Sequence, residues 1–201
     1  PMEMNDAVIQ ESIPYSYQAA PYLQVVTHGF GHRNHETEGK KSEFGQSRSL
    51  EEVRRELELG RKQLSERFEN YFPCFVPPWN RFEDRFLDLL PEAGYQMLSR
   101  DEPTRKLKAP LAEFDVGIDL HTSKNPVKLS AKEIFRELAR RNEAGIECTG
   151  VMLHHCKMTD EDFSILDDLL KEISKRGIAS LFFSDLVPGN ERRREIEMSH
   201  V

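Results

Sequence analysis

The stretch Tyr22-Leu23-Gln24-Val25-Val26-Thr27-His28-Gly29-Phe30-Gly31-His32 decides the fold class of this chain. Its first part is rich in β-branched and aromatic residues, which predicts a strand, and glycines and histidines follow directly. After a polar stretch that extends to Arg48, Ser49 and Glu52 form the capping-box pattern that opens an amphipathic helix. A strand, a polar loop and a helix in this order are typical of α/β folds with a mainly parallel sheet.

The remainder of the chain repeats this alternation. Further strands are predicted at 73–76, 95–98, 112–120, 149–155 and 178–183, and further helices at 82–93, 130–143 and 159–176. This number of strands suits either an open doubly wound sheet or a barrel that needs one or two more. We predict one domain over residues 1–187, followed by a polar tail over residues 188–201.

Composition and charge narrow the range of partners. The 201 residues carry a net charge of −7, which argues against a nucleic-acid surface. The chain contains no apolar run of about 18 residues, so no membrane span is predicted. Three cysteines, an odd number with irregular spacing, favour a reducing compartment, and we expect a cytoplasmic protein.

The histidines after the first predicted strand have the chemistry of metal ligands. Neutral imidazoles commonly bind zinc and similar ions, and His28 and His32 are separated by four residues. Gly29 and Gly31 allow a tight turn between them, and His35 lies nearby. The alternative is a polar loop whose histidines only form hydrogen bonds.

Polar or aromatic residues also follow the later predicted strands. They are Trp79 and Asn80 after two prolines, Asp119, and the pair His154 and His155. Because the carboxyl ends of parallel strands share one rim of the sheet, we expect these residues and His28 to converge on one pocket. A histidine in this pocket would suit general acid or base chemistry. The structural alternatives are that the histidines only cap the strand and that Trp79 only packs in the core.

Three segments carry a resemblance to a known family. They read His28-Gly29-Phe30-Gly31-His32-Arg33-Asn34-His35, Lys40-Lys41-Ser42-Glu43-Phe44-Gly45 and Val76-Pro77-Pro78-Trp79-Asn80-Arg81. Together they resemble an uncharacterised bacterial branch of the polysaccharide deacetylases, carbohydrate esterases of the NodB-homology type. The resemblance extends from about Val25 to Leu186, and it implies a distorted (β/α)7-type barrel that hydrolyses acetyl groups of a sugar.

The same resemblance implies roles for individual residues. His28 and His32 would bind a divalent metal, Zn²⁺ being the expected ion, together with an aspartate. His154 would protonate the leaving group, and Asp119 would tune that histidine. The implied contacts with the substrate, a carbohydrate or an acetylated small molecule, fall on Trp79, Asn80, Arg81, His35 and His155.

The chain departs from the family pattern at three places. First, no Asp-Asp pair precedes His28. Second, Val76 occupies the position where the family usually has an arginine, and Arg81 is the candidate substitute for that arginine. Third, no tryptophan follows Asp119. We therefore expect this chain to lack the first one or two strands of the barrel, which would carry both aspartates. This 201-residue form would then be inactive, and its unpaired sheet edge would favour a homodimer.

Two other interpretations of function remain open. One is a non-catalytic relative that binds a glycan or a protein partner through the same pocket. The other is a hydrolase of a different amide or ester on the same scaffold. An Asp-Asp pair in sequence upstream of Pro1 would favour catalysis, and upstream sequence without that pair would favour the binding protein.

Overall fold

The structure, a computed structural model, describes residues 22–100, 111–120 and 130–187. Helices alternate with strands along the chain, which confirms the predicted α/β class. In chain order the described elements are β1 (Val25–Thr27), α1 (Leu50–Arg67), β2 (Tyr71–Phe75), α2 (Leu89–Glu92), β3 (Met97–Arg100), β4 (Ala112–Asp119), α3 (Ala131–Glu143), β5 (Gly150–Met152) and α4 (Asp160–Lys175), with short 3₁₀ turns between them.

The strands form a parallel sheet in which spatial order equals chain order. Within the described residues there are five of them, arranged β1-β2-β3-β4-β5. Val25 lies opposite Tyr71 in the first pair, and Cys74 lies opposite Met97 in the second. In the last pair, Asp119 at the end of β4 lies opposite Met152 at the end of β5. Parallel neighbours of this kind require the crossover connections that the alternating pattern predicts.

The chain divides into two compact units. The first comprises residues up to Phe114 together with Phe182 onward, and the second comprises Asp115–Leu181. The boundary falls within β4, so this strand begins in the first unit and ends in the second.

Aromatic side chains dominate the core of the first unit. Phe75 is buried on β2. The ring centres of Phe44, Phe82 and Tyr95 each lie 5.3 Å from the ring centre of Phe75. Such edge-on and tilted contacts add to the free energy of apolar burial. Helix α1 covers this core with its buried residues Val53, Leu57 and Gly60.

The second unit has a smaller core of aliphatic residues. Ile118 of β4, Ile134 of α3 and Leu169 of α4 are buried together. Around them lie partly buried apolar side chains, among them Phe135, Leu138, Val151, Ile165 and Leu166.

The three long helices begin where their capping patterns predict. Ser49, Ser130 and Thr159 each accept a bond from the backbone N–H three residues later, and the acid at that position accepts a bond back from the cap. These reciprocal bonds satisfy amide groups that the first helical turn leaves without partners.

Two of the predicted elements are wrong. Residues 178–183 form no strand, although their composition favours one. Ile178 and Leu181 are exposed and pair with no neighbouring strand among the described residues. The helix predicted over 82–93 is reduced to the short α2, because Pro91 lacks an N–H and is tolerated only in a first turn. The predicted tail, residues 188–201, lies outside the described residues.

None of the helices in the described ranges is long and apolar enough to cross a membrane.

Candidate functional site

The histidine segment, residues 28–32, directly follows β1, and two of its residues have positive φ angles. Gly29 has φ +71°, and His32 has φ +50°, which is uncommon for a residue with a side chain. The Nδ1 of His28 lies 2.9 Å from the carbonyl oxygen of Val76, so Nδ1–H donates to that oxygen. In the neutral imidazole the lone pair then resides on Nε2.

The two imidazoles of the histidine segment lie close together. Their ring centres are 5.2 Å apart, with the planes tilted by 48°. Two imidazoles on one tetrahedral zinc ion, with Zn–N bonds of about 2.1 Å, hold their ring centres about 5 Å apart. Both side chains are exposed. The observed separation therefore fits two ligands of one metal ion.

A buried carboxylate lies beneath the histidine segment. Glu43 is 1% exposed, and its Oε1 accepts a bond from the N–H of Gly31 at 2.6 Å. Its Oε2 accepts a second, longer bond from the N–H of Phe30 at 3.3 Å. A Cβ atom on Gly29 would lie only 2.1 Å from that Oε2, so the close approach of the carboxylate requires glycine at this position.

Sequence reasoning missed the contact made by Glu43. The residue belongs to one of the three family-like segments, yet its position in a long polar loop gives no periodic pattern from which burial could be predicted. The available signal was a lone acid between Ser42 and Phe44, which is too weak to assign a role.

The turn after β2 places Trp79 against the histidine segment. The ring centre of Trp79 is 4.6 Å from that of His32. Trp79 and Asn80 have φ +55° and +57°, so three side-chain-bearing residues with left-handed backbones, these two and His32, cluster here. Backbone strain of this kind costs on the order of 1–3 kcal/mol per residue and concentrates at functional sites.

A cavity of about 500 Å³ in the first unit is lined in part by Asn80 and Arg81, two of the residues predicted to contact substrate. Two other lining residues, Ser42 and Arg100, are each 5% exposed. Ser42 Oγ and Arg100 Nη2 have no hydrogen-bond partner among the described residues. Buried polar atoms in folded proteins are nearly always bonded, so these two atoms are exceptions within the described residues.

Arg81 and His35 also contribute to the structure of the long loop. Arg81 Nη1 donates to the carbonyl oxygen of Lys41 at 2.7 Å, which ties the turn after β2 to the loop. His35 has an exposed side chain, while its backbone N–H donates to Ser42 and its carbonyl accepts from Ser47.

In the second unit, Asp119 and His154 are adjacent. The Nε2 of His154 lies 3.4 Å from Oδ1 of Asp119, and both side chains are partly exposed. Asp119 ends β4, while His154 lies two residues beyond the end of β5, where a 3₁₀ turn over His155–Lys157 begins. Because both histidines lie beyond the strand, the alternation of side chains along a strand does not decide between them. The contact with Asp119 distinguishes His154 from the exposed His155.

The donor set in the first unit fits part of a zinc site. A catalytic zinc ion usually has three protein ligands and one open position. Within the described ranges, no group of three or more His, Cys, Asp or Glu side chains is arranged to hold a metal ion. His28 and His32 would supply two ligands of such a site, and any third protein ligand would come from outside the described residues.

Cys74 of the first unit is a poor candidate for a metal ligand. Cys74 is buried in β2, and burial raises the pKa of its thiol far above the usual value. Cys148 is half-buried in the second unit. A buried thiol with a raised pKa is a poor metal ligand, because the thiolate is the binding form.

Comparison of the chain with protein-family models, with curated proteins and with solved structures finds no match.

Proposed function

We propose that the chain is part of a metal-dependent hydrolase that removes acetyl groups from a sugar substrate. The proposal follows the resemblance to polysaccharide deacetylases, and zinc is the proposed ion. It includes the finer fold that the resemblance implies, a distorted (β/α)7-type barrel. The chain-order arrangement of the strands supports a barrel, in which each strand pairs with its predecessor.

The observation that carries the proposal is the geometry of His28 and His32. Their ring centres have the separation expected for two ligands of one zinc ion. The bond from His28 Nδ1 to the Val76 carbonyl is the outer-shell bond that metal-ligating histidines typically make, and it selects Nε2 as the ligand atom.

The resemblance proposes His154 as the acid of this reaction, and in the second unit this histidine lies beside Asp119. When bound, the zinc ion would polarise the acetyl carbonyl and activate a water molecule. His154 would donate its proton to the amine or alcohol that leaves, and the 3.4 Å contact with Asp119 would orient the imidazole. The aspartate base implied by the resemblance is proposed to lie outside the described residues.

The cavity beside Asn80 and Arg81 is the proposed place for part of the sugar. Sugar hydroxyls both donate and accept hydrogen bonds. They could therefore form hydrogen bonds with the polar side chains that line the cavity, Asn80 and Arg81 among them. Phe82 in the cavity wall adds an apolar surface of the kind that packs against a sugar ring.

Metal analysis of the complete protein tests this proposal. We expect one zinc ion per chain in the wild type, and a loss of bound zinc in the double variant His28→Ala/His32→Ala. His35→Ala is the matched control, since it removes an exposed histidine of the same loop and should leave zinc unchanged. Acetate release from N- and O-acetylated sugar oligomers should stop with a chelator and return with zinc. Equal zinc content in the double variant and the wild type would refute the metal site.

One observation favours a second candidate, a non-catalytic glycan-binding relative. The part of the chain that the structure describes holds only two side chains at the proposed metal site, whereas it lines the cavity beside Asn80 and Arg81 with several polar side chains. Binding of sugar oligomers that is unaffected by chelation, without acetate release, would select this alternative.

A further inference from the structure

The most unusual group beside the histidine segment is the carboxylate of Glu43. It is almost fully buried, and its partners are the amides of Phe30 and Gly31. No lysine or arginine within the described residues lies at ion-pair distance from it. A buried carboxylate without a cation is costly unless its hydrogen bonds and its charge serve another group.

The two amides are those of the residues between the metal-ligand histidines. Fixing Phe30 N–H and Gly31 N–H fixes the backbone that carries His28 and His32. The neighbouring Gly29 and Pro78 close around the same carboxylate, since a Cβ on Gly29 would lie 2.6 Å from Pro78 Cγ. Glu43 is therefore built into the turn and is not a mobile surface group.

The charge of Glu43 has the sign that a metal site needs. Two neutral imidazoles leave the charge of a divalent ion uncompensated, and a carboxylate bonded to the amides between them would offset part of it. Both oxygens of Glu43 accept bonds from backbone amides, and within the described residues Glu43 forms no three-donor metal group with the two histidines, so we assign it neither the role of a ligand nor that of the base.

We propose that Glu43 is a positioning residue for the metal site, which holds the backbone between His28 and His32 in the ligand-bearing conformation and balances the charge of the bound ion. This inference deepens the proposed function and rests on its metal site. A matched residue exists in the same loop, because Glu36 also uses its carboxylate to accept a backbone amide, that of Ser47, away from the histidine segment.

The test is metal affinity in Glu43→Gln, with Glu36→Gln as the control. The glutamine side chain has the same size but no charge, and its NH₂ group cannot accept the second amide. Competition with a chromophoric chelator should show zinc binding weakened by about 10–100-fold in Glu43→Gln, the usual effect of losing an outer-shell partner. The visible spectrum of bound Co²⁺ should change in the same variant. Glu36→Gln should match the wild type in both measurements.

Amide hydrogen exchange separates this inference from the proposed function. In metal-free wild-type protein, the N–H groups of Phe30 and Gly31 should be protected although they lie in a loop, and Glu43→Gln should speed their exchange. If the wild type binds no metal, the proposed function fails while the exchange result still tests the role of Glu43. Wild-type metal affinity in Glu43→Gln would overturn the inference and leave the metal site intact. Unprotected Phe30 and Gly31 amides in the wild type would overturn it even if the variant does not fold.

Discussion

Gly29 shows how closely the histidine segment fits its surroundings. Its φ of +71° disfavours any residue with a side chain, and an added Cβ would lie 2.1 Å from Glu43 Oε2 and 2.6 Å from Pro78 Cγ. We predict that Gly29→Ala destabilises the protein by on the order of 1–3 kcal/mol from backbone strain alone, with a further loss from the overlap. Urea unfolding gives the stability, and a zinc titration should show weakened binding.

Gly39→Ala is the control that separates the two causes. Gly39 has a similar φ of +77°, but nothing lies within 4 Å of the position of an added Cβ. This variant should therefore show only the conformational cost and should bind zinc normally. Equal effects of the two substitutions would mean that the contact with Glu43 is unimportant.

For single residues, the sequence identified the polar groups of the candidate site but not all of the groups that they contact. The residue types and spacing of His28 and His32 predict metal chemistry, which stays a prediction. The acid at Asp119 was predicted to influence a histidine, and its neighbour is His154. The bond from His28 to Val76 depends on a main-chain carbonyl 48 residues away. Any residue supplies such a carbonyl, so the side chain at position 76 carries no signal of it.

Helix α1 contains a buried glycine whose replacement should stabilise the protein. Gly60 lies against the histidine segment, and an added Cβ would be 3.6 Å from Phe30 Cδ2, an ordinary contact distance. Because alanine is favoured over glycine inside a helix, Gly60→Ala should raise the free energy of unfolding by about 0.5–1 kcal/mol. Denaturant unfolding measures this change directly.

A larger residue at position 60 should have the opposite effect. Thr27 Cγ2 and Gly29 O both lie 3.8 Å from the added Cβ, so the branches of a valine would crowd them. We expect Gly60→Val to destabilise by about 1–3 kcal/mol. A destabilising Gly60→Ala would show that the helix lies closer to the segment than described.

A helix or strand could be predicted when the interactions that form it join residues close together in the sequence. Ser49, Ser130 and Thr159 mark their helices correctly because a capping box is made within four residues. The strand predicted at 178–183 fails because a strand exists only where another strand accepts its backbone bonds. No local pattern at Ile178 or Leu181 reveals whether such a neighbour is present.

The first unit as a whole should lose stability in alkaline solution. Burial raises the pKa of the Cys74 thiol and of the Tyr95 phenol well above their ordinary values. Above about pH 9 these groups ionise first in the unfolded chain, which then binds fewer protons than the folded one. The free energy of unfolding should therefore fall as pH rises, by up to about 1.4 kcal/mol per pH unit for each group.

Urea unfolding at pH 7.5 and 10.5 measures this loss. Tyr95→Phe should reduce the difference between the two pH values, although it also removes the bond from Tyr95 to the Leu57 carbonyl and lowers stability at both. Tyr22→Phe is the control, because Tyr22 is 82% exposed, and it should leave the difference unchanged. A difference that is the same in all three proteins would show that Tyr95 is not responsible.

The order of strands in the sheet bears on how the protein is made. Each strand pairs with the one that was synthesised just before it, so its partner is already outside the ribosome when it emerges. Chains leave the ribosome at about 5–20 residues per second, and α1 and β2 follow β1 within some fifty residues. The β1–β2 pair, and with it the turn that brings Val76 to His28, can therefore form within seconds, before the second unit exists.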